Sequence, residues 1–282
     1  MRTRIFPLLA FSGTLFLISC NNSKSSSTST IKDTTVGVPQ LKEDNITYSG
    51  DNISMNGYVV YKDSGQERRP AVLVVHEWWG LNNYSKRRAR ELADLGYVAM
   101  AVDMFGNGQT ASNPDEAMKL AGPFYQNPQL AKTRLDAALA KLKSYPQVDT
   151  NNIAAIGYCY GGYVVLNAAK LGEPLKGVVS FHGSLGGGAK PDKNLLKAKA
   201  LVLHGEADPL VKPEEVRQFR KQMDSVGANY TFKTYPNAKH AFTNPAADSL
   251  ENKFHIGVGY NAEADKQSWN DMKDFLQKLF GK

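Results

Sequence analysis

The sequence has few cysteines and histidines, and this scarcity excludes several classes of metalloprotein. Only two cysteines and five histidines occur among 282 residues. No pair of histidines lies with a carboxylate at the spacing of a metal-binding motif, and two cysteines do not supply a multi-thiolate zinc site. No glycine-rich, phosphate-binding loop follows the first predicted buried strand. We therefore expect neither a metal nor a nucleotide cofactor.

The sequence also lacks a strong excess of either charge. Lysine and arginine total 34 against 27 acidic residues, a net charge of +7. The basic residues are spread along the chain, apart from "SKRRARE" at 85–91. That cluster is typical of the solvent-exposed face of a helix rather than of a stripe that follows a phosphate backbone. We therefore expect no nucleic-acid partner.

Long apolar runs are absent except near the start of the chain, and that run is too short to span a bilayer comfortably. It follows arginines at positions 2 and 4 and ends in "LISC". A basic start, a short apolar core and a small-residue exit predict a secretory signal peptide over residues 1–20. The exit resembles the lipobox of bacterial lipoproteins, which implies cleavage before Cys20 and attachment of lipid to its sulfur. The alternative is an ordinary signal peptide with an incidental cysteine.

The segment after Cys20 is rich in serine and threonine and poor in large apolar residues, so it cannot offset the entropy of ordering. We predict a flexible tether over residues 21–45 and a folded domain over residues 46–282. A lipid on Cys20 would make the membrane a partner and place the domain in the cell envelope, periplasmic or surface-exposed. Asn21 is not the acidic residue that retains some lipoproteins at the inner membrane, which slightly favours the outer membrane.

From residue 46 onward, short apolar runs alternate with helix-like segments. "PAVLVVH" (70–76) and "YVAMAVD" (97–103) are continuous apolar runs, typical of strands buried on both faces. Amphipathic segments at 128–145 and 261–280 predict helices. This alternation predicts a single α/β domain with a mostly parallel sheet and helices on both faces.

Several chemically reactive groups come directly after predicted strands. Ligands bind at the carboxyl ends of parallel strands, so these groups are candidates for one site. The segment 157–161, "GYCYG", has the form of a strand-to-helix nucleophile elbow with Cys159 where serine is commoner. The order Cys159, Asp208, His240 is that of nucleophile, acid and base in an α/β-hydrolase. We predict a catalytic triad of these three residues.

Two alternatives to this triad remain open. Cys159 could be a small buried thiol, since unreactive buried cysteines are common. If Cys20 carries lipid, however, Cys159 has no internal disulfide partner, and a leftover cysteine in an exported protein suggests a functional thiol. Glu206 competes with Asp208 as the triad acid, and the spacing of the loop favours Asp208.

The chain resembles the dienelactone hydrolase family over roughly residues 46–280. The resemblance is carried by "VVHEWWG", "GYCYGG", "LHGEADPLV" and "HAF". It implies the α/β-hydrolase fold and the same triad. It also implies that Glu77 contacts the cysteine in the resting enzyme, and that the backbone N–H groups of Trp78 and Tyr160 form the oxyanion hole. A carboxylate near the thiol would make the sulfur less prone to oxidation.

The sequence departs from the family at the two arginines that bind a substrate carboxylate. An ungapped count places Asn107 and Asn244 there, and neither can pair with a carboxylate as a guanidinium does. We therefore expect a neutral ester or lactone rather than dienelactone. Trp79 and His182 are further candidates for the substrate pocket, with structural roles as the alternative.

Together these features predict a hydrolase that cleaves a small ester, thioester or lactone through a thioester acyl-enzyme. One alternative is a catalytically silent, ligand-binding lipoprotein. Another is a carbohydrate esterase that stacks sugars on Trp78 and Trp79. Nothing in the sequence indicates the oligomeric state.

Overall fold

The computed structural model describes residues 40–281, except 64 and 66. The predicted signal peptide, Cys20 and residues 21–39 of the predicted tether lie outside the described residues. Within the described part of the chain, no helix has the length and apolar character needed to cross a membrane.

Eight strands form one sheet. They are β1 (Leu41–Gly50), β2 (Ile53–Lys62), β3 (Arg69–Val75), β4 (Val98–Val102), β5 (Val148–Tyr158), β6 (Gly177–Phe181), β7 (Lys199–Gly205) and β8 (Tyr230–Tyr235). The order across the sheet is β1-β2-β4-β3-β5-β6-β7-β8. Strand β2 is antiparallel to both of its neighbours, and all other adjacent pairs are parallel.

In the described part of the chain, seven helices accompany the sheet. They are α1 (Asn83–Asp94), α2 (Pro114–Gln126), α3 (Pro128–Lys143), α4 (Tyr160–Lys170), α5 (Pro213–Ser225), α6 (Ala247–Phe254) and α7 (Ala262–Phe280). Helices α2 to α5 pack on one face of the sheet, and α1 and α7 pack on the other. The alternation along β3 shows why both faces are covered, because Leu73 faces the first core while Val72 and Val74 face the second. The predicted α/β-hydrolase architecture is confirmed.

The predicted start of the folded domain at residue 46 is wrong. Strand β1 begins at Leu41 and pairs with β2 from its first residue, so residues 41–45 belong to the sheet and not to the tether. Most of these residues are exposed on an edge strand, so the period of two that marks a half-buried strand is missing. The hairpin closes through Asp51 and Asn52, which both have positive φ, as a two-residue type I′ turn requires.

Two helices were not predicted. Helix α2 begins with an Asn113 cap followed by Pro114, but Pro123 interrupts its pattern. Helix α6 is only eight residues long and lies in a segment without a clear apolar period. Both helices contribute to the cavity described below.

Candidate active site

Cys159 lies at a sharp turn between β5 and α4. Its φ of 53° and ψ of −115° are unfavourable for a residue with a side chain. Two glycines make this turn possible. A Cβ on Gly157 would lie 2.0 Å from the carbonyl oxygen of Gly161, and a Cβ on Gly161 would lie 2.3 Å from that of Val75. The close crossing of β5, α4 and β3 therefore places the thiol at the carboxyl end of the sheet.

Asp208 and His240 are brought together from the ends of β7 and β8. The Nδ1 atom of His240 lies 2.8 Å from Oδ2 of Asp208, and both side chains are buried. The other carboxylate oxygen accepts the N–H groups of Leu210 and Val211 at 2.8 and 3.2 Å. Burial alone would favour the neutral acid, but the hydrogen bond and positive charge of His240 lower the pKa of Asp208 below its usual range. Asp208 is therefore an ionised carboxylate that accepts a hydrogen bond from the Nδ1–H group of His240.

The remaining nitrogen of His240 lies on the side of Cys159. Burial lowers the pKa of His240, but the negative charges of Cys159 and Asp208 outweigh burial and raise it to about 10. Nε2 is buried, and no hydrogen bond of regular geometry joins it to a group in the described chain. In enzymes, the contact between a candidate nucleophile and its base often tightens only when substrate binds. The arrangement favours the imidazolium form of His240 beside Cys159.

Glu77 lies in the same cavity as Cys159, but its hydrogen bond goes elsewhere. Its Oε2 accepts from Nδ2 of Asn244 at 2.7 Å, and among the described hydrogen bonds none joins Glu77 to the thiol. Burial raises the pKa of Glu77 to about 7, although Asn244 and the positive charges of His240 and Arg88 act in the opposite direction. The family resemblance implies a contact between Glu77 and the thiol of Cys159. In the structure, the hydrogen bond of Glu77 is with Asn244 instead.

Two backbone N–H groups are available near the sulfur. Tyr160 is the first residue of α4, so its N–H has no acceptor within the helix. The N–H of Trp78 likewise takes part in none of the backbone hydrogen bonds of the described residues. The positive end of the α4 dipole lies at the same place and would favour a negative charge.

The cavity above Cys159 has a volume of about 620 Å³. Its walls are mainly apolar, and Trp78 and Trp79 form one side. The other apolar or aromatic lining residues include Met118, Tyr125, Leu210, Leu250, Ile256 and Val258. Among the residues that line the cavity, none is a lysine or an arginine. Such a cavity suits an uncharged ligand.

Three residues predicted for the pocket lie outside its wall. Asn107 is exposed in the loop after β4, at a turn where its φ is 55°. Its backbone N–H donates to the carbonyl of Ser54. Asn244 is buried and holds Glu77. His182 is fully buried, and its Nδ1 accepts the backbone N–H of Cys159. The pocket assignments of Asn107, Asn244 and His182 are therefore wrong.

His76, directly after β3, is buried and has a structural role. Its Nε2 accepts the N–H of Met104 at 3.3 Å, and Nδ1 is hydrogen-bonded to the carbonyl of Glu77. Burial lowers the pKa of His76 to about 4, so the imidazole is neutral. It fixes the peptide that precedes Trp78.

Several cavity residues were missed by sequence reasoning. Met118 and Tyr125 come from α2, and Leu250 comes from α6, the two helices that the patterns did not predict. Ile256 and Val258 come from the loop after α6. The sequence does contain one signal for α2, because Asn113 followed by Pro114 is typical of a helix N-terminus.

Comparison with known proteins places the chain in one family. A family model described as the dienelactone hydrolase family matches residues 55–280. An uncharacterized protein of Caenorhabditis elegans is 36% identical over 151 residues, which cover 53% of this chain and 94% of that protein. A protein of Methylorubrum extorquens named putative carboxymethylenebutenolidase is 28% identical over 220 residues, covering 74% of this chain and 72% of that protein.

A solved structure is also similar. The dienelactone hydrolase-like promiscuous phosphotriesterase P91, from metagenomic libraries, aligns with a TM-score of 0.80 at 32% identity. The alignment covers 85% of this chain and 98% of that one.

Proposed function

The chain belongs to the dienelactone hydrolase family and is a carboxylic ester hydrolase, and from this premise we propose that it cleaves small, uncharged esters or lactones by covalent catalysis at Cys159. One observation carries the proposal. The hydrogen-bonded pair of His240 and Asp208 lies beside Cys159 at the floor of an apolar cavity. This juxtaposition supports covalent acyl transfer with Cys159 as the nucleophile, His240 as the base and Asp208 as the orienting acid.

The first half of the reaction forms a thioester. The thiolate of Cys159 attacks the carbonyl carbon of the substrate. The carbonyl oxygen becomes an oxyanion, which accepts hydrogen bonds from the backbone N–H groups of Trp78 and Tyr160. When the intermediate collapses, the carbon–oxygen bond to the leaving group breaks. Nε2 of His240 then gives its proton to the departing alkoxide. The products of this half are an alcohol and an acylated cysteine.

The second half consumes water. Neutral His240 takes a proton from a water molecule that attacks the thioester carbonyl, and the same two N–H groups hold the second oxyanion. Collapse releases the acid and restores the thiolate and the imidazolium. Asp208 remains ionised throughout and keeps the proton on Nδ1 of His240.

The cavity supports the restriction to uncharged substrates. A carboxylate on the substrate would lose its hydration without meeting a lysine or arginine in the lining. The ionised form of Glu77 would repel it further. Trp79 stacks on Phe254, with ring centroids 6.0 Å apart, so that ring face is not open to a sugar. A neutral acyl or lactone group fits better than a carbohydrate.

Hydrolysis of p-nitrophenyl butyrate by the full chain tests the chemistry. We expect Cys159→Ala and His240→Ala to lose at least about a thousandfold in kcat, and Asp208→Asn to lose less than either because its role is orientation. The controls are circular dichroism and thermal unfolding of each variant. Equal rates in wild type and both alanine variants would contradict hydrolysis at Cys159 and would favour a ligand-binding protein.

A matched pair of substrates tests the charge restriction. p-Nitrophenyl butyrate and the mono-p-nitrophenyl ester of succinate have chains of similar length, but only the succinate ester ends in a carboxylate. We expect kcat/KM to be at least about tenfold lower for the succinate ester. Equal values would show that a charged group is accepted.

We also propose that Cys20 carries the lipid that anchors the domain to the cell envelope, with the outer membrane slightly favoured. The support is the "LISC" exit of the apolar run. In a bacterial host, the full chain should sediment with membranes, and Cys20→Ser should move it to the soluble fraction. Unchanged fractionation of Cys20→Ser would refute the anchor.

A further inference from the structure

We propose that His182 is a positioning residue, whose imidazole joins the backbone of the nucleophile to the loop that carries the base. The inference rests on the proposed function, because the distance that this bridge fixes is that between Cys159 and His240. His182 is not among the residues that line the cavity above Cys159, and it acts through its two ring nitrogens.

The bridge consists of two hydrogen bonds. The N–H of Cys159 donates to Nδ1 of His182 at 3.1 Å, and Nε2 of His182 lies 2.7 Å from Oγ1 of Thr243. Both His182 and Thr243 are fully buried. Thr243 follows His240 by three residues. A single imidazole therefore spans from the nucleophile elbow to the segment that carries the base.

The direction of the bonds follows from the donors. The N–H of Cys159 can only donate, so Nδ1 of His182 has no proton and the neutral ring carries its proton on Nε2, where it donates to Thr243. Burial, together with the positive charge of His240, lowers the pKa of His182 well below its usual value. The ring therefore stays neutral while His240 is charged.

The far end of the bridge is firmly held. Oγ1 of Thr243 is also hydrogen-bonded to the hydroxyl of Tyr84 at 2.6 Å. The carbonyl of Thr243 accepts from Nη2 of Arg88 at 2.8 Å, and Arg88 is ion-paired with Asp265 on α7. Because Thr243 is fixed to α1 and α7 in this way, it provides a rigid reference point for His182.

Backbone strain is concentrated at the other end. Cys159 has φ of 53° and His182 has φ of 40°, both in the left-handed region. Residues remain in such conformations only when their surroundings hold them there. The N–H of Cys159 is shared, since it also lies 3.0 Å from the carbonyl of Phe181. Loss of His182 would therefore leave this N–H paired, and a variant can fold while losing the bridge.

Substitutions that cut one bond at a time test the bridge. Thr243→Val removes the hydroxyl at nearly constant shape, and Thr243→Ser restores it. His182→Asn keeps an acceptor for the N–H of Cys159 but is too short to reach Thr243. Tyr84→Phe is the matched control, because it removes the other hydrogen bond to the same oxygen and leaves the His182 bond intact.

Two readouts separate positioning from general destabilisation. The first is kcat and KM for p-nitrophenyl butyrate. We expect Thr243→Val and His182→Asn each to lower kcat by about 10- to 100-fold with little change in KM, and Tyr84→Phe to lower it far less. The double variant Thr243→Val/His182→Asn should lose no more kcat than either single variant, because both substitutions cut the same bridge. Thr243→Ser should be close to wild type.

The second readout is the pH profile of Cys159 alkylation by iodoacetamide, which needs no hydrolysis. If His240 moves away from the sulfur, the thiolate loses its cationic neighbour and the profile shifts to higher pH. An unchanged profile and unchanged kcat in folded Thr243→Val and His182→Asn would overturn the bridge. If the wild type hydrolyses no ester but the profile still shifts, the proposed function fails while the bridge stands.

Discussion

The two sides of Cys159 differ in chemistry. Its thiol faces an open cavity with mainly apolar walls. Behind it lies a buried polar network that runs from His182 through Thr243 to Arg88. The cavity side contains few specific polar contacts, whereas nearly every group on the network side has a defined partner. The network can therefore fix atomic positions, and the cavity can accept ligands of different shape.

This difference predicts two kinds of variant. Changes on the network side should destabilise the fold or lower kcat for all substrates, because they move the reacting groups. Changes on the cavity side should leave the fold intact and alter the preference among substrates.

The largest effect is expected at the glycine crossing behind Cys159. Gly157→Ala would place a Cβ 2.0 Å from a backbone oxygen of α4, which cannot move without displacing the elbow. We expect a loss of more than about 5 kcal/mol in the free energy of unfolding, or no folded protein. Gly122→Ala in α2 is the control, since a Cβ there meets no atom within 4 Å. Gly122→Ala should leave the free energy of unfolding unchanged or raise it, as measured by urea unfolding. An equal loss of stability in both variants would show that the close crossing at Gly157 does not cause the effect.

A somewhat smaller effect is expected at the far end of the network. Arg88 is 4% exposed and ion-paired with Asp265, so Arg88→Met leaves a half-buried carboxylate without its cation. We expect a loss of about 3 kcal/mol in the free energy of unfolding. Its neighbour Arg87 is 41% exposed and paired with Glu91, and Arg87→Met should cost less than about 1 kcal/mol. If urea unfolding showed comparable losses of stability for Arg88→Met and Arg87→Met, the buried ion pair of Arg88 would not stabilise the fold more than an exposed one.

The division also explains what the sequence could predict. The strands, the order of the triad residues and the elbow at Cys159 follow from local patterns, namely apolar runs, glycine spacing and reactive groups at strand ends. The parts of the cavity from α2 and α6 do not, because Pro123 interrupts one helix and the other is too short to show a period. The sequence therefore predicts the reactive groups at the strand ends better than the shape of the pocket.

The network behind Cys159 could not be predicted from the sequence either. His182 and Thr243 are 61 residues apart, and nothing in their local sequence indicates that they meet. The same holds for Asn244 and Glu77, 167 residues apart. A histidine at a strand end suggested a pocket residue, but tertiary packing turned its ring toward the backbone of Cys159. Long-range polar pairs of this kind become visible only in three dimensions.

Glu77 lies at the boundary between the two sides and should link stability to pH. Burial raises its pKa from 4.5 to about 7, so the folded state holds the proton more tightly than the unfolded state. The stabilising contribution is complete below the unfolded pKa and is lost as pH rises through 7. Glu77→Gln keeps an acceptor for Asn244 without this titration.

We therefore expect Glu77→Gln to gain stability relative to wild type between pH 4.5 and 8, by at most about 3 kcal/mol. Urea unfolding of both proteins at pH 5 and pH 8 measures this difference. Glu67→Gln, at an exposed position, is the control and should change equally at both pH values. A constant difference between wild type and Glu77→Gln would show that Glu77 titrates normally.

The smallest effect is expected at the rim of the cavity, and it tests the division from the other side. Met118 is 54% exposed and lines the cavity from α2. Its side chain can cover the outer methylene groups of a longer acyl chain, while an acetyl group is too short to reach it. We expect Met118→Ala to lower kcat/KM for p-nitrophenyl hexanoate by about fivefold, or about 1 kcal/mol, and to leave the acetate unchanged. Leu95→Ala, at a 42% exposed position outside the cavity lining, should change neither. If Met118→Ala instead slowed both substrates equally, the rim would share in positioning the reacting groups, and the division between the two sides of Cys159 would fail.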